Sequence, residues 1–260
     1  MTKLGNGAWP RVYVAFDDTD NRDADRGTGK VGRWFTEDLP AGVRSWGVVR
    51  QQLCVHPDVP YTSHNSSAVC VLEVDPSRWP RRPDADQGVI AELVSRAGAH
   101  VERHRLPGSD PGVCVAWEGS PALVALAALG ARAAVAVVTQ ADAWAAAEGV
   151  HLSGHGGTCD GVIGAAAGVG LTAEGWHGRL IDYRVPLRDF PDPVVVRDLV
   201  GAGIAVASVD RDAPVPAPDE LVSTGDWLRP RLLGGRPVVP VQRDHEGWVA
   251  LAPRTASPSQ

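Results

Sequence analysis

Residues 12–16 read Val-Tyr-Val-Ala-Phe, and the next four read Asp-Asp-Thr-Asp. The β-branched and aromatic make-up of the first run predicts a buried strand. It ends abruptly in three carboxylates, Asp17, Asp18 and Asp20. Neighbouring carboxylates repel, and burying them unpaired is costly. A divalent cation relieves both problems, and Mg²⁺ is commonly held by one or two carboxylates plus substrate phosphates. The stretch therefore predicts a Mg²⁺–nucleotide site at the carboxyl end of the first strand, with Asp17, Asp18 and Asp20 as metal ligands. The same residues also suit an acidic turn ahead of a helix. The segment Arg26-Gly27-Thr28-Gly29-Lys30 behind them favours the site.

Backbone amides of a glycine-rich turn entering a helix can cradle phosphate. Gly27, Thr28 and Gly29 are therefore expected to bind the nucleotide, and Lys30 to add a point charge. The spacing is not that of a P-loop, which needs Gly-x-x-x-x-Gly-Lys-Ser/Thr. A helix is expected over Gly29–Leu39, with Val31, Trp34, Phe35 and Leu39 on one side and Pro40 as its stop. Strands are expected at Val48–Val55, Ala68–Val74, Val113–Trp117 and Trp176–Val185, and helices at Gln87–Ala97 and Pro121–Ala134. Residues from Pro186 onward change character, with proline-rich links between short apolar runs, and read as a small β-rich appendage.

Two further blocks carry chemistry. Tyr61-Thr62-Ser63-His64-Asn65-Ser66-Ser67 gathers hydroxyls, an amide and an imidazole just before a strand. Thr62, Asn65 and Ser66 are candidate nucleotide contacts, although such residues also build polar turns on their own. The run His151–Asp160 holds Ser153-Gly154-His155-Gly156-Gly157-Thr158 and leads into a small-residue helix over Thr158–Val169. Gly154 and Gly156 would allow an anion close to the backbone. His155, and Asp160 beyond it, could serve in acid–base or charge-stabilising roles. His100 and His104 are expected to be surface histidines rather than a metal pair.

These three blocks, in this order, resemble the archaeal tRNA-Ile agmatinylcytidine synthetase family. Its Asp-Asp-Thr-Asp motif after the first strand is similar to Asp17–Asp20. Its Thr-x-Gly-Asn-Gly-like loop is similar to Thr62–Ser67 through Thr62 and Asn65. Its glycine-rich block and Tyr-Arg-ended strand resemble Gly154–Gly157, the run Gly164–Gly168 and Ile181-Asp182-Tyr183-Arg184. The resemblance covers about Val12 to Arg184. It implies an α/β (α+β) fold: a kinase-like α/β domain over 1–110, a ferredoxin-like domain over 111–190, and an appendage over 191–260. It also implies ATP-dependent phosphorylation of a carbonyl oxygen, followed by displacement of that phosphate by an amine. The family's autophosphorylated threonine aligns best with Lys30, with Thr28 nearby, so a phosphothreonine is not carried over.

The resemblance does not extend to the family's nucleic-acid-binding part or to the cysteine pairs of its zinc ribbon, so neither is expected here: Cys54, Cys70, Cys114 and Cys159 are far apart. Its formal net charge is −6, which gives no general attraction to a polyanion. The expectation is therefore an ATP- and Mg²⁺-dependent ligase- or kinase-like enzyme acting on a small, nucleobase-like or amide-bearing substrate. Asp18, Lys30 and His155 are its expected catalytic residues, an amine its second substrate, and tRNA a disfavoured partner. Two alternatives stay open: a tRNA cytidine-modifying enzyme whose tRNA grip comes from a partner, and a nucleotide-binding sensor without catalysis. No apolar stretch is long enough to span a membrane, and a cytoplasmic location is expected.

Overall fold

The computed structural model describes residues 9–21, 23–59, 65–80, 86–212, 214–245 and 247–251. In chain order the elements are β1 (Arg11–Asp17), α1 (Thr28–Phe35), β2 (Val43–Gln52), β3 (Ser66–Val74), α2 (Asp86–His104) and β4 (Gly112–Trp117). Then come α3 (Ala122–Ala133), α4 (Gln140–Ala146), β5 (His151–Gly154), α5 (Gly161–Glu174) and β6 (Arg179–Tyr183). The carboxyl-terminal part adds β7 (Val194–Val195), α6 (Val196–Gly201), β8 (Ala205–Ser208), β9 (Leu221–Ser223), β10 (Arg231–Leu233), β11 (Arg236–Arg243) and β12 (Trp248–Ala250).

All twelve strands belong to one sheet, in the order β5-β4-β1-β3-β2-β6-β10-β11-β12-β9-β7, with β8 paired to β11. Pairing is antiparallel except for β8 on β11 and β9 on β12. The mixed, mostly antiparallel α/β fold matches the expected class. It also explains the unbroken apolar run of β1. The strand lies between β3 and β4 and is covered on both faces. Side chains alternate across a strand. Accordingly Val12, Val14 and Phe16 pack with α2 residues Val89, Leu93, Ala97 and Val101. Tyr13 and Ala15 pack with α5 residues Val162, Ala165, Ala166 and Val169.

Helix α5 is buried almost all round, so its sequence carries no polar stripe. It fits because its glycines let other elements approach: a Cβ at Gly170 would lie 1.9 Å from the Leu126 carbonyl oxygen of α3. Helix α4, which the sequence pattern does not reveal, begins with a capping box. The Asp142 amide donates to Thr139 Oγ1 at 3.2 Å and the Thr139 amide donates to Asp142 Oδ2 at 2.9 Å. Helix α2 runs seven residues past the expected end at Ala97, so His100 and His104 are helical. They are not loose surface residues: their rings lie 4.5 Å apart, and His100 also packs 5.4 Å from Phe35. The glycine-containing run from His151, for which no strand is expected from the sequence, begins as β5, an edge strand paired with β4. No helix among the described residues is long and apolar enough to cross a membrane.

Candidate active site

The carboxyl end of β1 opens into a cavity of about 900 Å³. Asp17, Asp18, Asp20, Asp110 and Asp160 line one part of it. Asp17 is the last residue of β1, opposite Gly112. Asp18 then turns the chain, with φ +50°, a left-handed conformation that Asp and Asn tolerate better than most residues. The loop is tied down at Thr19, whose hydroxyl donates to Thr28 Oγ1 at 3.1 Å, with both residues buried. Asp20 stands beside Gly27: a Cβ there would lie 3.3 Å from Asp20 Oδ2.

Gly27 is the N-cap of α1, and no side chain caps the helix there. The first amides of an uncapped helix lack intrahelical partners, and its dipole favours negative charge. Gly27, Thr28, Gly29 and Lys30 all line the cavity, with the Lys30 ammonium 5.2 Å over the Trp34 ring. Asn65 and Ser66 line it too. Thr62 lies outside the described residues.

The acidic side is electrostatically strained. Burial, then the charge of Asp18, raises the Asp17 carboxyl to about 8. Burial, then the charges of Asp110 and Asp20, raises Asp18 to about 6. Asp110 and Asp160 share one hydroxyl: Thr158 Oγ1 is 2.8 Å from an oxygen of each, and a hydroxyl has only one proton to donate. Gln140 Nε2 donates to Asp160 Oδ1 at 2.6 Å. Among the described residues, no three His, Cys, Asp or Glu side chains converge closely enough to hold a metal ion by themselves. The donor set suits a cation that arrives on a triphosphate and takes one or two of these carboxylates, not a resident ion in a protein cage.

Several expected residues lie elsewhere. His155 is not part of the cavity lining. Its Nδ1 is 3.3 Å from Glu102 Oε1 of α2, and its Nε2 is 2.9 Å from Ser153 Oγ. The Ser153 hydroxyl is in turn 2.9 Å from His151 Nε2. Gly154 and Gly156 also stand off the cavity: the first packs on Cys159 and the second on Arg105. Other lining residues carry no local signal. Asp110 sits in a plain Ser-Asp-Pro connection, and Arg50, Arg179 and Arg188 are scattered along the chain. Asp160 stands out in the sequence only as a neighbour of the glycine loop.

No family model matches the chain, and no curated protein matches it. Solved structures do. A complex of TiaS with an isoleucine tRNA and ATP aligns with a TM-score of 0.51 at 22% identity, covering 74% of this chain and 43% of that one. A complex of TiaS with the same tRNA, AMPCPP and agmatine aligns at 0.49 and 20% identity, covering 86% and 54%. Apo TiaS, described as a tRNA agmatidine synthetase, aligns at 0.47 and 22% identity, covering 62% and 35%. The chain thus spans about half the length of these proteins or less, and it has a TiaS-like fold. This corrects the expectation of a free small-molecule substrate with tRNA disfavoured, because the fold neighbour at 0.51 is a complex with an isoleucine tRNA. Net charge is a poor guide because it sums the whole surface, whereas binding depends on where the charges lie.

Proposed function

We propose that this chain is an ATP-dependent tRNA-modifying enzyme that activates a cytidine carbonyl for replacement by an amine. The observation that carries the reading is the crowd of carboxylates at the end of β1, facing the uncapped N-terminus of α1 within one cavity. The TiaS-like fold supports it. Mg²⁺, when bound with ATP, would neutralise charge that develops on the transferred phosphoryl group. Asp18, with Asp17 or Asp20, would hold it. The amides of Gly27, Thr28 and Gly29 and the Lys30 ammonium would orient the phosphates. The γ-phosphoryl group passes to the carbonyl oxygen of the base. An amine then attacks the carbon, and the phosphate leaves with the former carbonyl oxygen.

The catalytic contribution of the chain is positioning and charge stabilisation, which dominate phosphoryl transfer. Agmatine is the first amine to test, with tRNA grip supplied by this chain or by a partner. The experiment is incubation with total tRNA, ATP, Mg²⁺ and agmatine or other polyamines, followed by mass analysis of the digested nucleosides. The expected product is a cytidine heavier by the amine less water, absent with Asp18→Asn. Unchanged nucleosides, with no ATP consumed under any amine, would overturn the reading.

A further inference from the structure

Across the sheet from the carboxylates runs a row of cross-strand neighbours. Phe16 of β1 pairs with Ala68 of β3, Ala68 with Arg50 of β2, and Arg50 with Arg179 of β6. Phe16 immediately precedes Asp17, so the row starts beside the acidic end and reaches the directly opposed Arg50 and Arg179, with Arg231 of β10 paired to Arg179 beyond them. Like charges in directly opposite positions destabilise a sheet. Arg50 and Arg179 are both partly buried and both line the cavity. The Arg50 Nε–H donates to Ser66 Oγ at 2.8 Å. Among the described residues, no acidic side chain forms an ion pair with Arg50, Arg179 or Arg188. Arg188, which also lines the cavity, is stacked 4.6 Å from the Trp227 ring.

We infer that Arg50, Arg179 and Arg188 form an anion subsite that takes a phosphate group of the substrate at the end of the cavity away from the carboxylates. Guanidinium groups present planar forks that match phosphate oxygens in pairs, and a phosphate between them would offset both their repulsion and their burial. Burial and the charge of Arg179 already lower Arg50 to about 10, as expected for guanidiniums held close without a counterion. Neighbouring strands are about 4.8 Å apart, so three steps place Arg179 roughly 14 Å from Phe16 along the row. A cavity of about 900 Å³ is at the upper end of the roughly 300–1,000 Å³ of small-ligand sites, with room for a nucleotide and part of a second group. The phosphate comes either from ATP or from a phosphodiester beside the target base; the second source rests on the function proposed above.

The test compares wild type with the double variant Arg50→Met/Arg179→Met, which keeps the apolar stems and removes the charges. Affinities are measured for pyrophosphate, for Mg²⁺–ATP and for a cytidine-containing RNA pentanucleotide across a salt series. At least one affinity should fall tenfold or more, with a shallower dependence on salt. The Arg50→Lys/Arg179→Lys variant should fall in between, because it keeps charge but loses the fork. Thermal stability of the Met variant should stay level or rise, since a repulsion is removed. A loss confined to RNA identifies the phosphodiester. A loss for ATP or pyrophosphate, with no RNA binding by wild type, identifies the nucleotide and counts against tRNA as substrate while leaving the subsite standing. Unchanged affinity for all three probes in the folded variants, or no binding of any probe by wild type, overturns the subsite.

Discussion

Gly164 of α5 faces Asp17 of β1 so closely that a Cβ on the glycine would lie 1.7 Å from the Asp17 carboxylate oxygen. Asp17 is thus seated against bare backbone, and the glycine helix borders the candidate site as well as forming the core. Gly164→Ala should lower nucleotide affinity and destabilise the fold by about 1–3 kcal/mol, the usual range for overpacking. Gly170→Ala meets the α3 backbone instead and should destabilise without a specific effect on the nucleotide. Calorimetry and an ATP titration on both variants check this, and equal binding losses in the two would refute it.

The Asp17 carboxyl, raised to about 8 by burial and by Asp18, should leave a signature in stability against pH. In the unfolded chain the same group titrates near its ordinary value of about 3.9. Between those values the folded state holds a proton that the unfolded state has released. Stability contributed by this group is therefore complete below about pH 4 and is lost as pH rises through about 8. Melting of the ion-free protein should fall between pH 5 and 8, and Asp17→Asn should flatten that slope. An identical slope in the variant would show that Asp17 is not the group responsible.

At Asp18 the left-handed φ of +50° separates charge from conformation. Asn adopts this region readily, whereas Ala is strained there by about 1 kcal/mol. Asp18→Asn should keep or raise its melting temperature, since a repelled, partly buried charge is removed, and lose at least tenfold in Mg²⁺–ATP affinity. Asp18→Ala should lose both. Retention of affinity in a folded Asp18→Asn would remove Asp18 from the site.

Away from the cavity, Glu73 of β3 has a 5% exposed side chain held by two arginines. Arg44 donates to it through Nε and Nη2, each at 2.9 Å, and Arg184 through Nη2. Removing one member of a buried pair leaves the other uncompensated. Because both arginines are about half exposed, Glu73→Ala should cost less than a fully buried pair, about 2 kcal/mol. Denaturant unfolding measures it, and a change below about 0.5 kcal/mol would mean water serves the arginines equally well.

The four free cysteines divide by environment. Burial raises the thiols of Cys70 and Cys114, the latter to about 12, while Cys54 and Cys159 are partly exposed. The thiolate is the reactive form. A thiol reagent at pH 8 should therefore label two cysteines in the folded protein and four after unfolding.

What the sequence disclosed follows from the range of each signal. The strand–carboxylate junction at Phe16/Asp17 is local: burial on both faces leaves an apolar run, and its end is marked by the acids. The start of α1 at Gly27–Lys30 was legible for the same reason. The continuation of α2 through His100 and His104 was not, because Gly98 and the histidines blur the helical period that the core faces of Val89 and Leu93 display. β5 was hidden by its glycine-rich setting, since its strand character comes from pairing with β4. Asp110 and the Arg50–Arg179 pair were out of reach altogether. The arginines are opposed only through the β2–β6 register, which joins segments far apart in the chain.

With the proposed subsite in place, that register would also make the molecule a gauge. β6 bonds to β2 on one side and to β10 on the other, so the backbone spacing between Asp17 at the end of β1 and Arg50 and Arg179 on β2 and β6 is set by ladder hydrogen bonds. Ligands would then be sorted by length to within the reach of the arginine side chains: one whose charged ends are far too close or too far apart would satisfy one pole only.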